Sequence, residues 1–274
     1  MIGERANLRI VREQPFGIYL DGGDLGEILL PRREMPAKWQ IGETVDVFIH
    51  HDSEDRIVAT MKEPLAKPGQ FAYLRAVAVT GVGAFLDWGL PKDILLPFRE
   101  QKERMEVGKS YVVFVRIDEE SGRIVATRRL SRYLDQTPAP YHEGDEVDLL
   151  IYGKTDLGYK AIIEGKHTGL LFGNEVFRKV HAGERTRGYV ALVRPDGKID
   201  LTLQPSGRAR VTDLGARIMA GLESRGGYWE LSDKSPAEHI YKELGVSKRT
   251  FKQAAGALFR QKKIWIEDEG LRKR

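Results

Sequence analysis

The chain has 274 residues, a formal net charge of +4 and 41% hydrophobic residues. At ~100–200 residues per domain, this length indicates two domains or several small ones in a row. The sequence contains no cysteine, which excludes disulfides, thiolate zinc sites, iron–sulfur clusters and cysteine nucleophiles. No stretch approaches the ~18 uninterrupted apolar residues of a membrane helix, and no apolar leader follows Met1. We therefore expect a cytoplasmic protein that does not act at a membrane.

Charge is distributed unevenly along the sequence. Residues 1–65 carry a net −4 and residues 66–137 a net +3, whereas residues 206–274 carry 15 basic and 9 acidic side chains, a net +6. A polyanionic partner is therefore expected to interact most strongly with the middle and the C-terminal end. The alternative is a solvated surface whose charge is simply uneven.

Landmarks of the first 65 residues return 66 or 67 residues later. The motif Ile28–Pro31 returns as Ile94–Pro97, and Arg56–Thr60 returns as Arg123–Thr127. The matching glycines are Gly3 and Gly69, Gly17 and Gly83, and Gly42 and Gly108. A more divergent third copy follows about 75 residues beyond the second; its landmarks are Gly158, Gly183 and residues 198–202. The chain therefore contains an internal repeat.

Each copy has the pattern of short strands. Apolar residues alternate with others over 44–49 and again over 111–115, and a period of two predicts strands. Turn sequences rich in Gly, Asp and Pro separate these strands. About five short strands in ~65 residues predict a small closed barrel rather than a sandwich.

After residue 205 the hydrophobic period becomes helical. Leucine and isoleucine spaced by four predict a first helix over 214–222, with Asp213 as its cap. Ser235-Pro236 predicts the start of a second helix, and Ser247 caps a third. A strand, a turn and another strand follow. This order of helices and strands predicts a winged helix-turn-helix.

Four motifs of the first copy occur in a fixed order. They are the aromatic-Gly-x-aromatic turn at 16–19, the strand 28–31, Gly42 before the alternating strand 45–49, and Asp52 with Arg56-Ile57. Together they resemble the RNA-binding repeat of ribosomal protein S-one. Three such repeats followed by a winged helix are similar to the conserved virulence factor B family of bacterial RNA-binding proteins.

This resemblance implies both a fold and a function. The implied fold is mostly β with a C-terminal α+β module, built as three tandem OB-fold five-stranded barrels followed by a winged helix-turn-helix. The expected domains are residues 1–65, 66–137, 138–205 and 206–274. The implied function is binding of single-stranded RNA in post-transcriptional regulation of gene expression, without enzymatic activity.

The family's RNA contacts can be carried over only in part. In the first copy, Phe16 and Tyr19 match the two aromatic positions. In the second copy Phe85 matches the second aromatic, and Val82 stands at the first. In the third copy Tyr159 and Lys160 occupy the turn. The polar pair is matched by Asp52 with Arg56 and by Glu119 with Arg123, and the usual histidine is replaced by Pro31, Pro97 and Phe172.

Physical chemistry supports the same residues. Aromatic rings on the open face of an OB barrel stack on bases at ~1–3 kcal/mol per base, while Arg and Lys follow the phosphates. The candidate RNA-contacting residues are Phe16, Tyr19, Arg56, Arg75, Phe85, Arg123, Tyr159, Lys160, Phe172, Lys248, Arg249 and Lys252. Trp88 and Lys92 are further candidates in the second copy. Because the first copy is acidic, we expect copies two and three to bind more strongly. Core packing is the alternative for the rings.

Other functions have less support in the sequence. The third C-terminal helix is basic, which leaves RNA backbone contact, operator DNA and protein docking open. A DNA-binding transcription regulator is the main alternative, although no dimerisation helix is evident. An RNA-processing enzyme is a third class, yet no nucleophile with its base stands out. His50-His51 looks like a solvated strand end, and we expect no cofactor or metal.

Overall fold

A computed structural model of the chain describes residues 1–173, 176, 178–204 and 207–274, without the side chains of 207–213. Three closed five-stranded barrels precede a small helical module. The first barrel contains β1 (Arg5–Gln14), β2 (Gly17–Asp21), β3 (Glu27–Pro31), β4 (Thr44–His51) and β5 (Ile57–Thr60). The second contains β6 (Phe71–Val79), β7 (Gly83–Asp87), β8 (Ile94–Pro97), β9 (Ser110–Ile117) and β10 (Ile124–Thr127). The third contains β11 (Glu146–Thr155), β12 (Gly158–Ile163), β13 (His167–Phe172), β14 (Arg185–Val193) and β15 (Ile199–Thr202).

The three barrels share one topology. In each, the first strand pairs antiparallel with the second and the fourth, and the third strand closes the barrel by pairing parallel with the fifth. Alternate residues point inward: Val45, Val47 and Ile49 of β4 are at most 8% exposed. This arrangement confirms the predicted tandem OB barrels.

A glycine at the start of the second strand of each barrel packs against the third strand. A β-carbon added to Gly83 would lie 2.3 Å from the carbonyl oxygen of Leu96. At Gly17 and Gly158 the corresponding distances to the facing carbonyl are 2.2 and 2.1 Å. No side chain fits at these points, so the glycines are required and fix the structural alignment of the three repeats.

The first and second barrels share an apolar joint. Phe48 of β4 is fully buried and packs with the core of the second barrel. Its ring lies 6.0 Å from that of Trp88 and 6.3 Å from that of His50. Because a residue of one barrel completes the packing of the other, the two barrels form one unit.

A second joint connects the second and third barrels through their outer faces. Its buried residues are Phe71, Val112, Leu130, Leu134, Leu150 and Ile162. The ring centres of Phe71 and Phe114 lie 4.8 Å apart, and Arg185 donates a hydrogen bond of 2.9 Å to the carbonyl of Phe71. These contacts make the joint apolar at its centre with a polar contact beside it.

The C-terminal module is the predicted winged helix. Its elements are α1 (Gly207–Ser224), β16 (Tyr228–Trp229), α2 (Ala237–Leu244), α3 (Lys248–Arg260), β17 (Ile264–Ile266) and β18 (Leu271–Lys273), with sheet order β16-β18-β17. The Ser247 hydroxyl accepts a hydrogen bond from the Thr250 N–H, which confirms that cap. The first helix begins at Gly207 rather than after Asp213, because its first two turns carry no apolar stripe to reveal them; the Asp213 side chain lies outside the described residues. Across the described ranges, every helix is too short or too polar to cross a bilayer.

Candidate nucleic-acid interface

The residue two positions after each packing glycine begins a row of cross-strand neighbours whose side chains point away from the barrel core. In the first barrel this row runs through Tyr19, Leu29 and Val58. The equivalent rows are Phe85, Leu95 and Val125 in the second barrel and Lys160, Leu170 and Asp200 in the third. We call these the central rows. Each row crosses the second, third and fifth strands of its barrel, and the second and third strands form the oligonucleotide-binding face of OB folds.

The central row of the first barrel carries a ring that is already stacked. The Arg12 guanidinium lies 3.8 Å from the centre of the Tyr19 ring, and Glu27 holds it with an ion pair of 2.7 Å. Phe16, 54% exposed, meets the Tyr19 ring edge-on at 6.1 Å. The two predicted rings are therefore together on the outer surface. Arg12 was not among the predicted residues, because the motif match does not show that Arg12 of β1 pairs with Tyr19 of β2.

Arg56 lies close to the same row but is paired within its own turn. Its guanidinium forms ion pairs of 2.7 Å with Asp52 and 2.8 Å with Glu54. The hydrogen bond that Arg56 donates to Asp52 is the main cause that raises the pKa of Arg56, and the Tyr19 phenol adds a small contribution. Arg56 is 64% exposed, so a phosphate could reach it only in competition with two carboxylates.

The second barrel covers part of the outer face of the first barrel. A cavity of about 220 Å³ lies between Val58 and His50 on one side and Pro91 and Lys92 on the other. His50 is 5% exposed, and burial lowers the pKa of its imidazole. The prediction of a solvated strand end was therefore wrong for His50, because the neighbouring barrel covers it.

Trp88 was expected on the open face of the second barrel and is instead buried at 3% exposure. Its indole N–H donates a hydrogen bond of 2.6 Å to the Lys92 carbonyl, and its ring packs against Phe48. Trp88 follows the last residue of β7 and lies at the joint with the first barrel. Trp88 therefore stabilises the joint and is not available to stack on a base.

Phe85 occupies the central row of the second barrel. It is half-buried and lies between Ala78 of β6 and Leu95 of β8. Among the described residues, no ring or guanidinium stacks on Phe85, in contrast to Tyr19. Arg75 is exposed one strand away, paired in register with Asp87. The second barrel thus combines a half-buried ring that carries no stacked partner with a nearby cation.

Two cations of the second barrel that were expected to contact RNA form ion pairs at the joint with the first barrel. The Lys92 ammonium and the Arg123 guanidinium each bind the Asp55 carboxylate, at 2.8 and 2.7 Å. The hydrogen bond from Lys92 is the main reason that the pKa of Asp55 lies below its usual value, and Arg123 adds to the effect. Part of the net +3 of residues 66–137 is therefore neutralised by the first barrel.

The polar pair of the second barrel differs from the sequence match. The Asp52 N–H donates to the Arg56 carbonyl at 2.9 Å, and the Asp118 N–H donates to the Arg123 carbonyl at 2.8 Å. Asp118 is therefore the counterpart of Asp52, and the match to Glu119 was wrong. The residue that changes the repeat offset from 66 to 67 lies inside this turn, after Asp118.

The third barrel presents a cation where the other two present a ring. Lys160 is exposed and pairs with Leu170, as Tyr19 pairs with Leu29. Tyr159, expected on the open face, packs against the barrel core, because it shares the register of the core residue Ile18. When the repeats are aligned on Gly17 and Gly158, Lys160 takes the outward position of Tyr19, and Tyr159 takes the inward position of Ile18.

Phe172 and Arg194 flank this third row. The Arg194 guanidinium lies 5.7 Å from the Phe172 ring centre and forms an ion pair of 2.9 Å with Asp200. A groove of about 1070 Å³ runs beside them, between Lys160 and the linker residues Gln136–Ala139. Arg194 was missed because it stands where the first two repeats have Asp52 and Asp118.

The basic residues of α3 differ in whether their charged groups already have a partner within the domain. The Lys248 ammonium donates a hydrogen bond of 2.8 Å to the Ser235 carbonyl, and Lys252 lies 3.5 Å from Asp233. Arg249 is exposed and has no ion pair with any residue that the structure describes. The tip of the wing, Glu267–Glu269, is acidic. The helix therefore offers less free positive charge than its sequence indicates.

Within the described ranges, no group of three or more His, Asp or Glu is placed to hold a metal ion.

Three OB barrels with outward central rows, followed by a winged helix, define a modular nucleic-acid-binding protein. A family model described as an S1 domain matches residues 2–62 and 68–129, and one described as a CvfB-like winged helix domain matches residues 216–272. The chain therefore combines S1 domains with a CvfB-like winged helix domain.

Relatives align along almost the whole chain. The Bacillus subtilis protein named uncharacterized protein YitL is 28% identical over 279 residues, covering 97% of this chain and 91% of the relative. Conserved virulence factor B of Staphylococcus saprophyticus is 25% identical over 282 residues, covering 97% and 92%. A solved multidomain protein with nucleic acid binding domains from Streptococcus pneumoniae is 22% identical, covers 100% of this chain and 98% of its own, and aligns with a TM-score of 0.46.

Proposed function

We propose that this protein binds single-stranded RNA and acts in post-transcriptional regulation of gene expression in the cytoplasm. The observation that carries the proposal is the half-buried Phe85 ring on an OB face, on which no described ring or guanidinium is stacked, with Tyr19 at the equivalent position of the first barrel. Unpaired bases can stack on such rings, whereas paired bases cannot leave the duplex without an unpairing cost. No catalytic step and no cofactor form part of this function.

The central rows suggest a division of roles among the barrels. The second barrel offers a half-buried ring on which no described ring or guanidinium is stacked, while the ring of the first is covered on one side by Arg12 and bordered by paired cations. The third barrel offers Lys160, which suits a phosphate rather than a base. We infer that the second barrel is the main stacking site, that the third positions the backbone, and that the first contributes least.

Duplex DNA binding through the winged helix is the second candidate, supported by the exposed Arg249 at the start of α3. Two observations weaken it. Lys248 and Lys252 are engaged within the domain, and the acidic wing tip would approach the phosphates of a duplex.

Single-stranded RNA is expected to bind at least tenfold more tightly than duplex DNA of the same length. The reason is that the stacking rings reach only unpaired bases. A gel-shift comparison at one stated salt concentration measures this ratio, with a labelled strand of about 30 nucleotides, which matches three barrels at ~4–16 nucleotides each. Tighter binding to the duplex would contradict the proposal and favour the DNA-binding candidate.

Replacing Lys160 with methionine should reduce the salt dependence of RNA binding. A single phosphate contact contributes about 0.7 to the slope of log affinity against log salt for single strands. The variant Lys160→Met should therefore lower the slope by about that amount. Lys166→Met removes the same charge from the turn of a different groove and serves as the control. Equal slopes for wild type and Lys160→Met would remove Lys160 from the interface.

A further inference from the structure

The three-stranded sheet of the winged helix has one face turned away from the domain core. Cross-strand pairing places Tyr228, Arg272 and Trp265 side by side on this face. On the opposite face Trp229, Ile264 and Leu271 are buried, and Ile266 at the end of β17 is 37% exposed. We call Tyr228, Trp265, Arg272 and Arg274 the wing-sheet face.

Rings and guanidinium groups alternate across the wing-sheet face. The Arg272 guanidinium lies 4.8 Å from the centre of the Tyr228 ring and is held by Glu267 through an ion pair of 2.6 Å. The Arg274 guanidinium lies 3.4 Å from the centre of the Trp265 ring. Trp265 is 47% exposed, whereas Trp88 and Trp229 are 3% and 7% exposed. The face therefore holds an indole plane that is supported from one side by a cation and open to solvent elsewhere.

This arrangement has the chemistry of a stacking surface for unpaired bases. Bases stack on aromatic rings and on guanidinium planes, and arginines beside them reach the phosphates. Lys263 lies two residues before Trp265, directly before β17, and adds a further cation. An intact duplex presents only base edges in its grooves, so a stacking surface of this kind selects a single strand. Positive charge on the face complements the phosphate backbone of such a strand.

We propose that the wing-sheet face is a base-stacking site for single-stranded RNA. The inference rests on the proposed function and extends it, because it assigns the winged helix a binding surface on its sheet rather than on α3. Trp265 supplies the stacking ring, and Arg274 contacts a flanking phosphate, whereas Arg272 reaches a phosphate only in competition with Glu267.

The test uses the full chain and a fluorescein-labelled, unstructured RNA of about 30 nucleotides, followed by fluorescence anisotropy at fixed salt. Trp265→Leu removes the ring and should weaken binding about tenfold. Trp265→Phe keeps a ring and should stay within about threefold of wild type. Phe259→Leu is the matched control, because Phe259 is 43% exposed but lies on α3; its affinity should not change.

Tryptophan emission provides a second readout on the unmodified protein. Unlabelled RNA should quench the wild-type emission, and Trp265→Phe should lose most of this quenching, because Trp88 and Trp229 are buried and Trp39 packs against the core of the first barrel. If wild type binds RNA, and Trp265→Leu binds equally well or RNA quenches nothing, this inference is wrong and the proposed function stands. Loss of affinity in Arg249→Ala but not in Trp265→Leu would assign the surface to α3 instead. If wild type itself fails to bind the RNA, the proposed function fails. Should Trp265→Leu not fold, as judged by thermal unfolding, the quenching result decides.

Discussion

The variant Gly83→Ala is expected to destabilise the second barrel by about 3 kcal/mol or more. An added β-carbon would lie 2.3 Å from the Leu96 carbonyl oxygen and 2.9 Å from the Cα of Pro97, and the backbone φ of +154° is one that residues with a side chain rarely adopt. Because the obstructing atoms belong to the backbone of β8, they cannot turn away as a flexible side chain would. The strand pairing of β7 with β8 would have to open.

Gly81→Ala is the matched control for this variant. Gly81 lies two residues earlier, and a β-carbon there would meet no atom within 4 Å. Its effect should be within ±0.5 kcal/mol, as for most surface substitutions. Denaturant unfolding followed by tryptophan fluorescence measures both, since the buried Trp88 belongs to the second barrel. Equal midpoints for the two variants would show that the close approach at Gly83 does not constrain the barrel.

The variant Phe85→Leu is expected to weaken binding of single-stranded RNA by about tenfold or more. Stacking contributes ~1–3 kcal/mol per base, and every 1.4 kcal/mol corresponds to about tenfold in affinity. Leucine keeps an apolar side chain between Ala78 and Leu95 but has no ring plane. The slope of affinity against salt should stay the same, because Phe85 carries no charge.

Phe85→Tyr is the control, since the first barrel has tyrosine at the equivalent position. It should bind within about threefold of wild type, because the ring plane is retained. Fluorescence anisotropy with the same labelled RNA, together with thermal unfolding of each variant, separates lost binding from lost folding. Unchanged affinity in a folded Phe85→Leu protein would remove the central row of the second barrel from the interface.

The sequence predicted the fold well because the repeated glycines and the alternation of strands report on each barrel by itself. Gly17 and Gly83 return at a fixed spacing, and each is required by a close approach within its own barrel. The Ser247 cap was predictable for the same reason, since its hydrogen bond is local. Such features depend on neighbours in sequence or on one small core.

The candidate site was less predictable, because it depends on contacts between barrels. Alternation tells which side chains leave a barrel core, but it does not tell that the second barrel buries His50 or that the first barrel covers Trp88. Counting charges likewise treats Lys92 and Arg123 as free, whereas both bind Asp55 across the joint. These pairs lie 37 and 68 residues apart in sequence, so no local pattern reveals them.

The burial of Phe48 within the second barrel bears on how the molecule should be dissected. Cutting the chain at the linker would strand an apolar ring on one fragment and leave a void beside Trp88 in the other. Fragments made in this way are expected to associate or aggregate through the exposed apolar surface, even without a ligand. We therefore expect the first two barrels to unfold together, and point substitutions within the intact chain are the better way to assign a role to each barrel.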